Sequence, residues 1–261
     1  MRRFGAEYLR ETRRGMWDDT TALAGLELPN RRRILDVGCG TGELTTVLEA
    51  TSPGEVVGVD RDPDLLAHLS GPAVRGDALS LPFADNTFDL VVCQALLINL
   101  PDPAAAVREF GRVSSDLVAA IEPDNGAVTI ESTVESEAKL ATTARKHYLA
   151  GVNTDVTLGA GAANLFEAAG FTDVSTVQYD HVRTVSPPYE PHELEDAKRK
   201  ALGSGLSKNR EELLAGDLSA EAFEALREAW REMGRDAITQ MQTETYGKSE
   251  TVPFYVTVGR V

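Results

Sequence analysis

Three glycines stand at every second position of the stretch ILDVGCGTGEL, residues 34–44: Gly38, Gly40 and Gly42. Asp36 precedes them, and carboxylates recur at Asp60, after VVGV, and at Asp77, in VRGD. Glycines this dense let the main chain come against a ligand where side chains would intrude. A turn built for a dinucleotide has the spacing G-x-G-x-x-G, with its helix start holding a pyrophosphate and its third glycine admitting close helix packing. Here that third position is Glu43. A carboxylate at the helix start sits poorly beside a diphosphate, which argues against NAD.

The elements that must position these residues read as an alternation. RILDV, EVVGVD (55–60), AVRGD (73–77), FDLVVCQ (88–94) and DLVAAIE (116–122) are short β-branched runs bounded by turn residues, with helical segments expected at 43–50, 62–70 and 103–113. Parallel strands need crossover connections, so the fold class expected is α/β, a doubly wound, mostly parallel sheet with helices on both faces. Ligands of such sheets sit beyond the carboxyl ends of the strands, which puts the glycine turn at the mouth of a site. Apolar positions at helical spacing over 4–28 predict a helical preface, so residues 1–30 form an N-terminal helical segment. Past Pro123 the rhythm changes. Residues 131–150 read as one long helix, 160–169 as another closed by Gly170, FTDVSTVQYDHV as a strand, 189–246 as helical, and PFYVTVGRV as a last strand. The expected organisation is one domain over 31–261 with helical insertions at about 124–158 and 182–250. Both insertions are amphipathic and need an apolar surface, which predicts a cap over the site.

LDVGCGTG, VVGVD about twenty residues later, and GDALSLPFADNTFDLVVC together resemble the class I S-adenosylmethionine-dependent methyltransferases, closest to the small-molecule group with a D-A-x-x-L-P-F element. The resemblance covers about 33–122. It implies a Rossmann-like methyltransferase fold with a seven-stranded sheet, S-adenosylmethionine as cofactor and S-adenosylhomocysteine as product. It also implies roles for residues. Asp36 would order the site, Gly38 and Gly40 would lie against the methionine portion, and Cys39 between them would belong to the cofactor-binding set. Asp60 would take both ribose hydroxyls, with Arg61 flanking the adenine. Asp77 would accept from the adenine amino group with the amide of Ala78 facing the ring, and Gln94 would lie near the methionine amino group.

Methyl transfer from a sulfonium is an in-line displacement that owes much to orientation and water exclusion, and it needs a general base only where the acceptor arrives protonated. No acceptor motif follows the fourth strand, where CQALLINLPDP stands, so no catalytic residue is assigned. Candidates for the acceptor side are Asn99, Glu122, Asp124, His147 and Tyr148, with Tyr8 and Trp17 from the preface. A non-catalytic cofactor-binding sensor or partner subunit would keep the same motifs, and an RNA or protein methyltransferase is a further alternative.

A formal net charge of -15 over 261 residues, in a lysine-poor chain, suggests halophilic character and argues against nucleic-acid partners, because phosphate binding needs clustered Lys and Arg. A local exception is the basic run at 2–14 with Arg31, Arg32 and Arg33. No apolar run approaches the ~18 residues of a membrane span, no leader opens the chain, and two cysteines and four scattered histidines give neither a disulfide framework nor a metal site. A cytoplasmic protein with a small-molecule acceptor is expected.

Overall fold

A computed structural model of the chain describes residues 4–261; of the basic run at 2–14 and the segment 1–30, residues 1–3 lie outside those described. Among the described residues eight strands form: β1 (Arg33–Val37), β2 (Glu55–Asp60), β3 (Ala73–Arg75), β4 (Phe88–Gln94), β5 (Ser114–Pro123), β6 (Thr129–Ser132), β7 (Thr172–Val185) and β8 (Lys248–Arg260). The chain divides into two compact units, one of Met1–Asp124, Thr157–Asp180 and Pro253–Val261, the other of Asn125–Val156 and His181–Val252.

In the first unit the strand order is β3-β2-β1-β4-β5-β8, with β1 to β5 parallel and β8 antiparallel to β5. The buried runs of β1, β4 and β5 are nearly continuous rather than alternating, as parallel strands covered on both faces require. Helices α1 (Ala6–Arg13), α2 (Glu43–Thr51), α3 (Pro63–Leu66) and α4 (Pro103–Val113) belong here, along with short 3-10 turns at Thr21–Leu26 and Leu28–Asn30 that complete the preface. Asp102 starts α4 by accepting from the amide of Ala105, with Pro103 in the first turn. That helix lays Ala106, Val107, Phe110 and Val113 against Leu35, Val91 and Val118 of the sheet. The strand order reverses between β1 and β4, the place where doubly wound sheets open a crevice.

The second unit contains α5 (Glu137–Gly151), and after α6 (Ala162–Ala168) of the first unit it continues with α7 (Pro191–Leu202), α8 (Ser204–Lys208), α9 (Arg210–Ala215) and α10 (Ala220–Gln242). Its apolar clusters centre on Met233, Ala237 and Tyr246, and on Leu213, Phe223 and Leu226. Glu137 is buried there and fully engaged, accepting from Lys200 Nζ at 2.5 Å, Ser132 Oγ at 2.7 Å and the Tyr246 hydroxyl at 2.9 Å.

Three expectations are corrected. The sheet has eight strands, not seven, because β6 pairs with residues 248–251 of β8. The helix expected over 131–150 starts only at Glu137, since Thr129–Ser132 are in that strand and Ser132 Oγ accepts the amide of Val134. The helix expected over 62–70 is one α-turn, Pro63–Leu66, followed by looser turns before Pro72. No helix among the described residues is long and apolar enough to cross a membrane.

Candidate functional site

The glycine turn leaves β1 at Val37. Gly38 and Gly40 have φ of 71° and 58°, a left-handed backbone that side chains disfavour. The conformation is held from β2: the amides of Gly38 and Cys39 donate to Val59 O at 2.7 and 3.0 Å, and that of Gly40 donates to Asp60 Oδ2 at 3.0 Å. Asp60 Oδ1 accepts from the amide of Asp62 at 2.9 Å, so one carboxylate ties the turn to the start of α3. Opposite the turn, Leu96 and Leu9 close in; a Cβ on Gly38 or Gly40 would stand 2.8 or 2.9 Å from a methyl group of one or the other.

Beyond the ends of β1, β2 and β4 lies a cleft with about 750 Å³ free of protein atoms, counted out to its open mouth. Of the residues singled out in the sequence, Gly38, Gly40, Asp60, Arg61, Asp77, Ala78, Gln94 and Asn99 line it. Asp77 turns its own loop, Oδ1 accepting the amide of Leu79 at 3.0 Å. Gln94 is 4% exposed and Asn99 7%. Gln94 Nε2 donates to Met16 Sδ at 2.9 Å and Asn99 Nδ2 to Ala95 O at 2.7 Å. Among the described residues nothing donates to Gln94 Oε1 or Asn99 Oδ1. Buried amide oxygens rarely stay unpaired, and these two belong to cleft-lining residues.

Asp36 and Cys39 sit beneath the turn rather than on the cleft wall. Asp36 is buried, accepts from Thr45 Oγ1 at 2.7 Å and so ties β1 to α2; burial pushes its carboxyl up to about 7 against that hydrogen bond. Cys39 is buried toward β2, its sulfur 3.0 Å from where a Cβ on Gly58 would be, and burial pushes its thiol far up. Glu122 is fully buried too. It accepts from the amides of Leu96, Leu97 and Ile98 at 3.0, 2.9 and 3.2 Å, which fixes the turn after β4 that carries Leu96 and Asn99 to the cleft. Burial pushes Glu122 up to about 7, opposed by those three amides.

The remaining acceptor candidates are dispersed. Tyr8 is 48% exposed and stacks on Phe4. Trp17 stacks on Tyr179 with centroids 5.6 Å apart, and its buried Nε1 has no partner among the described residues. His147 and Tyr148 belong to the second unit, where His147 Nδ1 lies 2.6 Å from Asp217 and Tyr148 packs on the cluster around Leu213. Sequence reasoning missed the contribution of α1: Leu9 and Arg13 line the cleft, as does Phe4 just ahead of the helix. Their spacing, four residues apart and hence on one face of a helix, is the signal that could have found Leu9 and Arg13.

The residues present fit S-adenosylmethionine: the backbone bare of side chains at Gly38 and Gly40, the carboxylate residues Asp60 and Asp77 and the amide residues Gln94 and Asn99 line one cleft. Among the described residues no group of three or more His, Cys, Asp or Glu is arranged to hold a metal ion.

Residues 35–116 match the methyltransferase domain family. Demethylmenaquinone methyltransferase of Lactiplantibacillus plantarum is 39% identical over 104 residues, 35% of this chain and 44% of that protein. Demethylmenaquinone methyltransferase of Roseiflexus sp. is 42% identical over 108 residues, 38% of this chain and 44% of that protein. The matches thus span less than half the length of these curated relatives. Among solved structures, a Bacillus halodurans protein described as a candidate methyltransferase superposes with a TM-score of 0.53 at 16% identity, covering 93% of this chain and 98% of that one. The YcgJ protein of Bacillus subtilis gives 0.50 at 16% identity, covering 90% and 96%. At such identities the likeness speaks to the fold alone. The glycine turn thus lies within residues 35–116, the stretch that matches the methyltransferase domain family.

Proposed function

We propose that the chain transfers the methyl group of S-adenosylmethionine to a small-molecule acceptor. The observation that carries this reading is the convergence, at the switch point of the sheet, of Gly38, Gly40, Asp60, Asp77, Gln94 and Asn99 on one cleft. Bound there, the cofactor supplies an electrophilic methyl group on a sulfonium sulfur. Asp60 receives the ribose hydroxyls through the lone pairs its backbone partners leave over, Asp77 and the amide of Ala78 hold the adenine with Arg61 beside it, and Gln94 lies near the methionine amino group. Asp36, Cys39 and Glu122 act from below by fixing the turns that carry these groups. The acidic groups around the cleft favour a cationic ligand over its neutral product, and Leu9 and Leu96 keep the glycine turn dry.

A small acceptor accords with the relatives named for demethylmenaquinone, but the shared segment is the cofactor-binding half, so no particular acceptor is carried over. The net charge of -15 disfavours a nucleic-acid acceptor. A cytoplasmic location and halophilic character are part of the same proposal. Incubating the chain with S-adenosylmethionine labelled in the methyl group and a cell extract tests it: label is expected in the low-molecular-mass fraction. Label in precipitated RNA or protein would overturn the small-molecule acceptor, and failure to bind S-adenosylhomocysteine would overturn the cofactor.

A further inference from the structure

The loop of residues 76–87 joins β3 to β4 and contains neither helix nor strand. It carries Gly76, Asp77 and Ala78 to the cleft wall, and it leaves from β3, a three-residue strand at the edge of the sheet. The Gly38 turn is pinned by the neighbouring β2, whereas so short an edge strand gives the 76–87 loop little support. Its first part closes on itself: Asp77 Oδ1 accepts the amide of Leu79 and Asp77 O that of Ser80, both at 3.0 Å. From Leu81 onward the hydrogen bonds go to another element, the last turn of α4.

Arg112 in that turn uses all five of its N–H groups. Nε and Nη2 donate to Glu109 Oε2 and Oε1 at 2.9 and 2.7 Å, Nη2 also to Leu81 O at 3.1 Å, and Nη1 to Phe83 O and Asp85 Oδ1 at 2.9 and 2.7 Å. Glu109 Oε1 accepts in turn from the amide of Leu81 at 2.7 Å, and Arg112 O from that of Asn86 at 3.0 Å. One ion pair thus holds both polar groups of the Leu81 main chain and reaches along the loop to Asn86. Glu109 and Arg112 stand three residues apart, on one face of the helix, so the pair is assembled on a rigid element. Half-buried pairs of this kind add little to stability by Coulomb attraction alone. What this one does is fix a loop, and the other end of that loop is the cleft wall at Asp77.

We propose that Glu109 and Arg112 are positioning residues for base recognition: by anchoring Leu81 and Phe83 they hold the Asp77 carboxylate, four residues upstream, in line with the adenine amino group of S-adenosylmethionine. The assignment rests on the cofactor reading above and extends it to α4, which does not itself touch the ligand. Its consequence is selectivity for the base. A carboxylate held still rejects a base that offers it no donor, because the acceptor is then left without a partner, whereas a carboxylate on a loosened loop turns to water and accepts either base.

Calorimetry with two ligands tests this: S-adenosylhomocysteine and its analogue with unsubstituted purine in place of adenine, which lacks only the amino group. The wild-type chain is expected to prefer S-adenosylhomocysteine by roughly 10- to 100-fold, the range of a hydrogen bond to a charged acceptor. In Arg112→Gln that preference should fall to about threefold or less, with the purine ligand bound nearly as in the wild type. Asp60→Ala, which acts at the ribose, should keep the wild-type preference. A merely structural role for Arg112 would weaken both ligands alike and leave the preference intact; that result overturns the proposal, and so does a preference lost equally in Asp60→Ala. Should Arg112→Gln not fold, Arg112→Lys, with three N–H groups for five, and Glu109→Gln are read by the same ratio, and a wild-type preference in either folded variant overturns the proposal. A wild-type chain that binds both ligands equally overturns this proposal and leaves the cofactor standing, whereas one that binds neither overturns the cofactor reading as well.

Discussion

Asp60→Ala separates what Asp60 does for the fold from what it does for the ligand. Its two oxygens already serve the chain, Oδ2 accepting from Gly40 N at 3.0 Å and Oδ1 from Asp62 N at 2.9 Å. A carboxylate has about four lone-pair sites, so one on each oxygen is left for a vicinal diol. Amide bonds to a charged acceptor are worth about 1.5–3 kcal/mol each. Asp60 is half-buried, so water replaces part of that, and a stability loss on the order of 1–3 kcal/mol is expected, seen as a fall of several degrees in Tm. The lost diol contacts should raise the Kd for S-adenosylhomocysteine by roughly 10- to 100-fold. An analogue without the 2′- and 3′-hydroxyls isolates that part. The wild-type chain should prefer S-adenosylhomocysteine over it by the same factor in calorimetry, and Asp60→Ala should show almost no preference. A folded Asp60→Ala chain that keeps the wild-type preference would refute the placement of the ribose on Asp60.

Gly40→Val should abolish binding of S-adenosylhomocysteine while circular dichroism stays native-like, because valine at φ 58° strains the turn and reaches Leu9; wild-type affinity in that variant would contradict the close approach of the backbone. Asp36 and Glu122, both pushed up to about 7, bind protons more tightly folded than unfolded, so their contribution is full below their ordinary values near 4 and lost as the pH rises through 7. Urea denaturation should therefore show stability falling between pH 5 and 8, with a flatter slope in Asp36→Asn. Glu250 has the opposite sign. Its burial would raise it, but Lys248 and Arg183 hold it down to about 2, so it contributes on the order of 3 kcal/mol above pH 4.5, lost as the pH falls toward 2, and Glu250→Gln should blunt that acid transition. With a net charge of -15, the Tm should climb steeply from dilute to molar potassium chloride; a flat profile would leave the acidity without a halophilic role.

β1, β4 and β5 were legible because they are buried on both faces and so appear as compact apolar runs between turn residues. β6 was not. Thr-Ile-Glu-Ser is four residues of mixed polarity, and it is a strand only because Thr129 to Ser132 find Lys248 to Thr251, which are remote in sequence. The same segment flows into Glu and Ser residues that suit a helix start, so the helix was drawn too early, and only the Ser132 hydroxyl on Val134 marks the real boundary. Local signals carried the core; pairing at long range decided the rest.

The site divides along the same line. Gly38, Gly40, Asp60 and Asp77 are strand-end residues, and where a parallel strand ends is where a doubly wound sheet binds, so position alone placed them at the cleft. Asp36 and Glu122 also belong to strands of the parallel core, yet they turn inward and spend their oxygens on Thr45 and on three consecutive amides. Residue type could not separate the two pairs, because what separates them is burial. A carboxylate under the turn can fix geometry but has no lone pair facing the ligand, whereas one on the wall holds the turn with one lone pair of each oxygen and keeps the other for binding. Arg13 shows the converse. Its spacing four residues after Leu9 is a faint local mark, and it reaches the cleft wall because the bond of Gln94 to Met16 holds the stretch after α1 against the end of β4.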